Sequence, residues 1–441
     1  MMLREKSVPA SRSGRLMQIG RLATGVAGGM IGEGLKQAAS GNLPSISDML
    51  LTPANANRLA ERLAEMRGAA MKIGQLLSME ANDLLPDELT NILSRLRQQA
   101  HIMPLGEVND VLVRAWGEQW EDHFSRFVFT PVAAASIGQV HEANTSDGEH
   151  LAIKIQYPGV RTSIDSDIDN VTTLLRLVNM IPAQALRPIL DEARQQLHIE
   201  ADYLLEADAL DDFANLLAGD DSFVVPKVIR SLTTTDVLAM GYIESLPIES
   251  QLTETQQHRD RLAQRLLGLT LREFFQWGLV QTDPNFANFQ YQPEQDRLVL
   301  FDFGATRRYP SKRRRAFAEL MLAGMNEDAR NIERCAIEVG YLDEDDGAEY
   351  RDVMVQLISM ATEPARQKGA FDFTGSDLAQ RMSEYVLELR MGSQQWRMPP
   401  PDILFLHRKL GGMYMLCAKL KARVNVGQLV EQYADSEMIE S

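Results

Sequence analysis

Residues 281–307, QTDPNFANFQYQPEQDRLVLFDFGATR, decide the fold. They set Asp283 and Asn288 five positions apart and follow them with Asp302 in Asp302-Phe303-Gly304. Between Asn288 and Asp302 lie two apolar runs, 288–291 and 298–303, split by the polar residues 292–297. Two short apolar runs around a polar turn predict a β-hairpin. Its closure would carry Asn288 and Asp302 to one rim, where two hard oxygen ligands suit Mg²⁺.

An Asp, an Asn five positions on and a later Asp-Phe-Gly is the order found in protein-kinase catalytic loops. Working upstream, 127–133, 138–143 and 150–157 read as strands, with the turn Thr145-Ser146-Asp147-Gly148 between the last two. Lys154 stands in Leu151-Ala152-Ile153-Lys154, the pattern of the kinase strand whose lysine holds nucleotide phosphates. Before it, Ala133-Ala134-Ala135-Ser136-Ile137-Gly138-Gln139-Val140 aligns with the kinase glycine-rich loop, G-x-G-x-x-G-x-V. Its first two glycines are alanine, so positive φ and close backbone approach to phosphate are disfavoured.

Helical periodicity covers 162–180 and 185–218, interrupted by Pro182. The second run holds Glu200, Asp202 and Glu206, of which Glu206 is a candidate to ion-pair with Lys154, as kinase catalysis requires. Three carboxylates so close would repel one another unless cations are nearby. Residues 224–229 and 236–243 read as further strands. The second has the character of a kinase gatekeeper and hinge, with Met240 lining the site and the backbone of Gly241, Tyr242 and Ile243 hydrogen-bonding adenine. An amphipathic helix over 253–277 leads into the decisive stretch, and helices over 311–326, 327–338, 344–362, 375–391 and 402–423 follow it. No Ala-Pro-Glu comes after the Asp-Phe-Gly, so the platform that docks a protein substrate is not visible.

Composition narrows the function classes. A net charge of −16 over 441 residues leaves no excess basic surface for general nucleic-acid binding. Two cysteines without metal-ligand spacing read as buried thiols. Residues 1–40 differ from the rest: Arg4, Lys6, Arg12, Arg15, Arg21 and Lys36 stand against only Glu5 and Glu33, around Gly25, Gly28, Gly29 and Gly32. A transit peptide, a membrane-surface segment, a solvated tail and a helix packed through its glycines all fit that pattern. The same small residues allow a homodimer. Helical periodicity over 55–79 puts Lys72 and Gln75 on one face, offset from the apolar stripe.

The chain resembles the UbiB family of atypical kinase-like proteins, in its ubiquinone-biosynthesis branch. The resemblance rests on Lys72-Ile73-Gly74-Gln75, the alanine-rich loop 133–136, Glu200-Ala201-Asp202 and Gln281-Thr282-Asp283-Pro284-Asn285 before the Asp-Phe-Gly. It implies an α+β, bilobal protein-kinase-like fold with a helical N-terminal extension over the active site. The expected domains are a basic segment 1–40, a helical extension 41–125, an N-lobe 126–243 with a helical insertion, and a C-lobe 244–441. The resemblance makes Lys72, Gln75, Glu200 and Asp202 regulatory residues of the pocket. It also implies ATP or ADP with Mg²⁺, ATPase activity at anionic membrane lipid, and quinone-biosynthesis proteins or an isoprenoid lipid as partners. A small-molecule or lipid kinase and a nucleotide-switched scaffold are the alternatives. The polar tail and the lack of a clear transit peptide lead to the expectation of a bacterial, rather than mitochondrial, cytoplasmic protein in peripheral contact with membrane.

Overall fold

Alternating and continuous apolar patterns build the first sheet. The computed structural model describes residues 102–178, 183–392 and 399–434. Contacts divide it into two units, one holding residues up to Asp208 with Lys227–Tyr242, the other Ala209–Pro226 with everything from Ile243. In chain order the elements begin α1 (Leu105–Trp116), β1 (Phe124–Phe127), β2 (Ala133–Ala134), β3 (Gly138–Thr145) and β4 (His150–Gln156). They continue α2 (Val160–Val178), α3 (Ala183–Glu200), α4 (Tyr203–Leu216), β5 (Phe223–Val224), β6 (Val237–Gly241) and β7 (Leu246–Pro247). After α5 (Gln256–Leu271) and a π-helical turn Arg272–Trp277 come β8 (Leu279–Gln281), β9 (Phe289–Gln292), β10 (Arg297–Leu300) and β11 (Thr306–Arg308). The last part is mostly helical: α6 (Ser311–Met325), α7 (Ala329–Val339), α8 (Ala348–Ala361), α9 (Leu378–Gly392), α10 (Pro401–Lys419) and α11 (Val426–Tyr433).

In the first unit the antiparallel order is β1-β3-β4-β6, with β2 folded back on β3. Strand β4 is buried along almost its whole length, which explains why its sequence is apolar on both faces around Lys154 rather than an alternation. Val108, Val111 and Leu112 of α1 join Leu151, Ile153, Ile155, Val237 and Ala239 in one core. Each such side chain contributes about 1.5–3 kcal/mol when fully buried. Of the strand expected over 127–133 only the two ends are strand: Ala133 opens β2, and Phe127 closes β1, which begins at Phe124. There Trp120 packs edge-on against Phe127 at 5.2 Å, and an aromatic cluster sets the strand start.

A polar thread crosses this core. Gln139 accepts from the Met103 N–H through Oε1 and meets His141 Nε2 through Nε2, while His141 Nδ1 lies 2.9 Å from the Val128 carbonyl. The carbonyl can only accept, so Nδ1 carries the proton and Nε2 accepts from the glutamine. Burial lowers the pKa of His141, against the smaller raising effect of that carbonyl. The neutral ring is therefore the folded form. Its contribution is complete above the ordinary histidine pKa of about 6.5 and is lost as pH falls from there towards the depressed value. His141→Gln is expected to flatten the fall in melting temperature between about pH 7 and 5; an unchanged pH dependence would contradict this.

In the second unit the sheet order is β5-β10-β9-β7, and β8 pairs with β11 separately. The β9–β10 hairpin has the expected two apolar arms, with Leu300 opposite Phe289 and Leu298 opposite Tyr291. Asp296 closes its turn at φ 50°, and its carboxylate accepts from the Tyr291 hydroxyl at 2.7 Å and from Arg265. The 224–229 strand shrinks to β5 and one bridge, Val228 to Met240. The helix expected over 185–218 is two helices, α3 and α4, interrupted at Ala201–Asp202. Among the described residues, no helix is long and apolar enough to cross a membrane.

Candidate active site

Lys154 sits in mid-sheet on β4, opposite Val140 on one side and Leu238 on the other. Its ammonium donates to both carboxylate oxygens of Glu206 at 2.7 and 2.8 Å, and the two side chains are 8% and 3% exposed. An ion pair this dry holds only where both ends are hydrogen-bonded, because desolvating either charge alone is costly. The helix interruption puts Glu206 in place. Asp202 is not one of a row of carboxylates on a continuous helix; its Oδ1 accepts from the Leu204 N–H and so caps the start of α4. Its other oxygen lies 3.5 Å from Arg161. Glu200, at the end of α3, accepts from the Ser136 hydroxyl at 2.9 Å. The expected repulsion is avoided because each of the three carboxylates has its own donor.

The alanine-rich loop closes on itself. Ala133 pairs with Val140 and Ala134 with Gln139, and the Ala135 N–H donates to the Gly138 carbonyl at 2.9 Å. Ala133 and Ala134 are exposed, whereas Gly138 is buried. A Cβ on Gly138 would stand 2.3 Å from the Ile155 carbonyl oxygen, so the close passage of the two strands requires glycine there. At the expected hinge the structure corrects one feature. The Gly241 N–H donates to Lys227 and the Tyr242 N–H to His150, both at 2.9 Å. These two donors are taken up because the chain continues the sheet's pairing past Met240. Tyr242 stacks on the His150 ring at 4.2 Å, and Met240 is buried.

In the second unit, the Phe301 N–H donates to the Asn288 carbonyl at 2.9 Å, so Asn288 and Asp302 stand next to each other at the hairpin rim. The Asn288 amide donates to the Asp283 carbonyl at 3.3 Å. Asp302 has φ 58°, a left-handed conformation, and its Oδ1 accepts from the Gly304 N–H. Strain of that kind concentrates at functional sites. Phe303 is buried against Phe213, ring centroids 4.5 Å apart. One carboxylate and one amide oxygen form a hard donor set that fits Mg²⁺ completed by phosphate oxygens and water.

Three residues had no role assigned from the sequence, although the stretch Phe405-Leu406-His407-Arg408-Lys409-Leu410 also fits the family resemblance. Arg408 of α10 reaches the Asp283 carboxylate at 3.3 Å, with side chains 5% and 15% exposed. Lys409 is buried with Glu273 at 3.0 Å. Burial pushes the Glu273 carboxyl up, and the Lys409 ammonium opposes that. The available signal was two adjacent cations, Arg408 and Lys409, in the mostly apolar middle of helix α10. Lys72 and Gln75 lie outside the described residues, as does the segment 1–40.

Comparison with known proteins bears on this geometry. Residues 95–336 match the ABC1 atypical kinase-like domain. The chain is 36% identical to the mitochondrial atypical kinase coq-8 of Caenorhabditis elegans over 97% of its own length and 58% of that protein's. It is 34% identical to the mitochondrial atypical kinase COQ8 of Saccharomyces cerevisiae, covering 98% of this chain and 86% of that one. Among solved structures it resembles Mycobacterium tuberculosis Rv3197, determined with erythromycin, at TM-score 0.60 and 27% identity over 88% of this chain and 97% of that one. The chain belongs to the ABC1 atypical kinase-like family and has its kinase-like fold of mixed helix and sheet. The expectation of a bacterial rather than mitochondrial protein is overturned, since these kinase relatives are named as mitochondrial proteins of eukaryotes. A basic, glycine-rich segment is common to several destinations, so its composition had no power to separate them.

Proposed function

We propose that this protein is a kinase-like enzyme acting chiefly as a Mg²⁺-dependent ATPase at a membrane surface, in support of ubiquinone or other isoprenoid-lipid biosynthesis. The observation that carries the reading is the Lys154–Glu206 ion pair at 2.7 Å in a chain that also sets Asn288 beside Asp302 and ties it to Asp283. Membership of an atypical kinase family implies ATP binding, and the likeness to the coq-8 and COQ8 atypical kinases supports a role in quinone biosynthesis.

In this mechanism Lys154 holds the α- and β-phosphates and Glu206 keeps its ammonium in place. Asn288 and Asp302 present oxygens to Mg²⁺, which when bound neutralises charge on the phosphates. Asp283 orients a water or acceptor hydroxyl, its carboxylate steered by Arg408. The alanine-rich loop 133–136 covers nucleotide in a geometry set by its own hairpin, with Gly138 and Val140 at its base and Ser136 tied to Glu200. Met240 and the 241–243 segment border adenine, where Ile243 and the backbone carbonyls do the work left by the occupied donors of Gly241 and Tyr242. Residues 126–243 serve as N-lobe and 244–441 as C-lobe, and Lys72 and Gln75 of the extension 41–125 act as regulatory residues together with Glu200 and Asp202.

The test is phosphate release from Mg²⁺-ATP with and without anionic liposomes. Release that rises with lipid is expected. No release, with transfer of the γ-phosphoryl to an extracted lipid instead, would favour a lipid kinase, a reading that Asp283 and its Arg408 partner also suit.

A further inference from the structure

Around Gln281, the first residue of the Gln-Thr-Asp-Pro-Asn stretch, lies a buried polar cross-tie. Gln281 ends β8 and is 3% exposed. Its Nε2 amide donates to two main-chain carbonyls, Asp283 at 2.9 Å and Asp302 at 3.1 Å. A single side chain thus joins the two aspartate-bearing segments, nineteen residues apart in sequence. Such a tie holds only if the amide keeps its NH₂ towards the carbonyls, for its oxygen there would face two acceptors. Lys409 enforces that orientation. Its ammonium lies 3.3 Å from Gln281 Oε1 and, having three donors and no acceptor, can face only the oxygen end.

The lysine is held in turn. Glu273, from the π-helical turn, neutralises it at 3.0 Å, and both side chains are 2% exposed or less. The ammonium also lies 5.6 Å from the centre of the Phe289 ring, which follows Asn288 in sequence. One turn further along α10, Gly412 backs Pro284: a Cβ there would be 2.1 Å from the proline Cβ. Helix α10 therefore meets the Asp283 loop at the Arg408 guanidinium, the Lys409 ammonium and the bare Gly412 backbone.

Resting on the Mg²⁺-ATP reading above, we propose that Lys409 and Glu273 are positioning residues. By locking the Gln281 amide they fix the spacing of Asp283 and Asp302 on which metal-dependent nucleotide binding depends. Both act through Gln281, the lysine by its 3.3 Å contact and the glutamate by holding the lysine. The tie matters because a site loosened in its supporting shell typically loses about 10–100-fold in metal affinity or activity.

Lys409→Met alone would strand a buried carboxylate and endanger folding. Lys409→Met with Glu273→Leu replaces the pair by apolar groups, an exchange that is often neutral or stabilising. Two readouts apply to this folded double variant. In glutamine-selectively ¹⁵N-labelled protein, the side-chain NH₂ pair that disappears in Gln281→Ala is expected to be shifted and to exchange faster. In calorimetry, the gain in ATP affinity on adding Mg²⁺ is expected to fall by about tenfold. An unchanged Gln281 signal, or an unchanged Mg²⁺ gain, would overturn the proposal. Wild type that gains no ATP affinity from Mg²⁺ would instead overturn the functional reading, while the Gln281 signal still decides whether the tie exists.

Discussion

Asp302→Asn is expected to lower phosphate release by about 10²–10³-fold, the usual consequence of removing one preorganised electrostatic group, with the melting temperature unchanged. The structure explains why loss of function and loss of fold separate here. Asp302 has φ 58°, in the left-handed region that asparagine and aspartate tolerate far better than other side chains. Its Oδ1 accepts from the Gly304 N–H at 3.3 Å, which an asparagine carbonyl oxygen does equally well. What disappears is one negative charge and one of the two oxygens available to Mg²⁺. Asp302→Ala forfeits both conformational advantages and is a poorer test. Undiminished release by a folded Asp302→Asn protein would remove this residue from the reaction.

Lys154→Met is expected to act on stability and binding together. It leaves the Glu206 carboxylate, 3% exposed, without its ammonium partner. Breaking a buried pair from one side costs about 3–5 kcal/mol, which lowers the denaturation midpoint of the unit that carries it. Lys154→Met with Glu206→Leu removes the stranded charge and is expected to recover most of that loss, yet not the affinity for ATP. Comparing the three proteins by urea denaturation and by titration with a fluorescent nucleotide separates the two effects. A double variant that binds ATP like wild type would show that the ion pair serves the fold alone.

Much of the fold could be read from the chain itself. The β9–β10 hairpin follows from two apolar arms about a polar turn, and the burial of β4 follows from a run of Leu, Ala and Ile around Lys154. Such features depend on neighbours a few residues apart, and periodicity records them. The Ala201–Asp202 interruption was harder. Asp202 can lie on a helix face or cap the next helix, and the choice rests on whether the Leu204 N–H finds its carboxylate. The hinge shows the same limit: its apolar pattern marks a strand but not that the Gly241 and Tyr242 N–H groups are taken by Lys227 and His150.

The sequence by itself determined the kinase-like class and the spacing that makes Lys154, Asn288 and Asp302 candidates for phosphoryl transfer, because those depend on local pattern and side-chain chemistry. Only the tertiary structure decided which partner each buried charge would take. Lys409 meets a glutamine 128 positions away and Arg408 meets Asp283 across 125. No local pattern encodes contacts of that range. They are settled when helix packing removes water from both groups at once and leaves each charge only the partner that the fold has brought beside it.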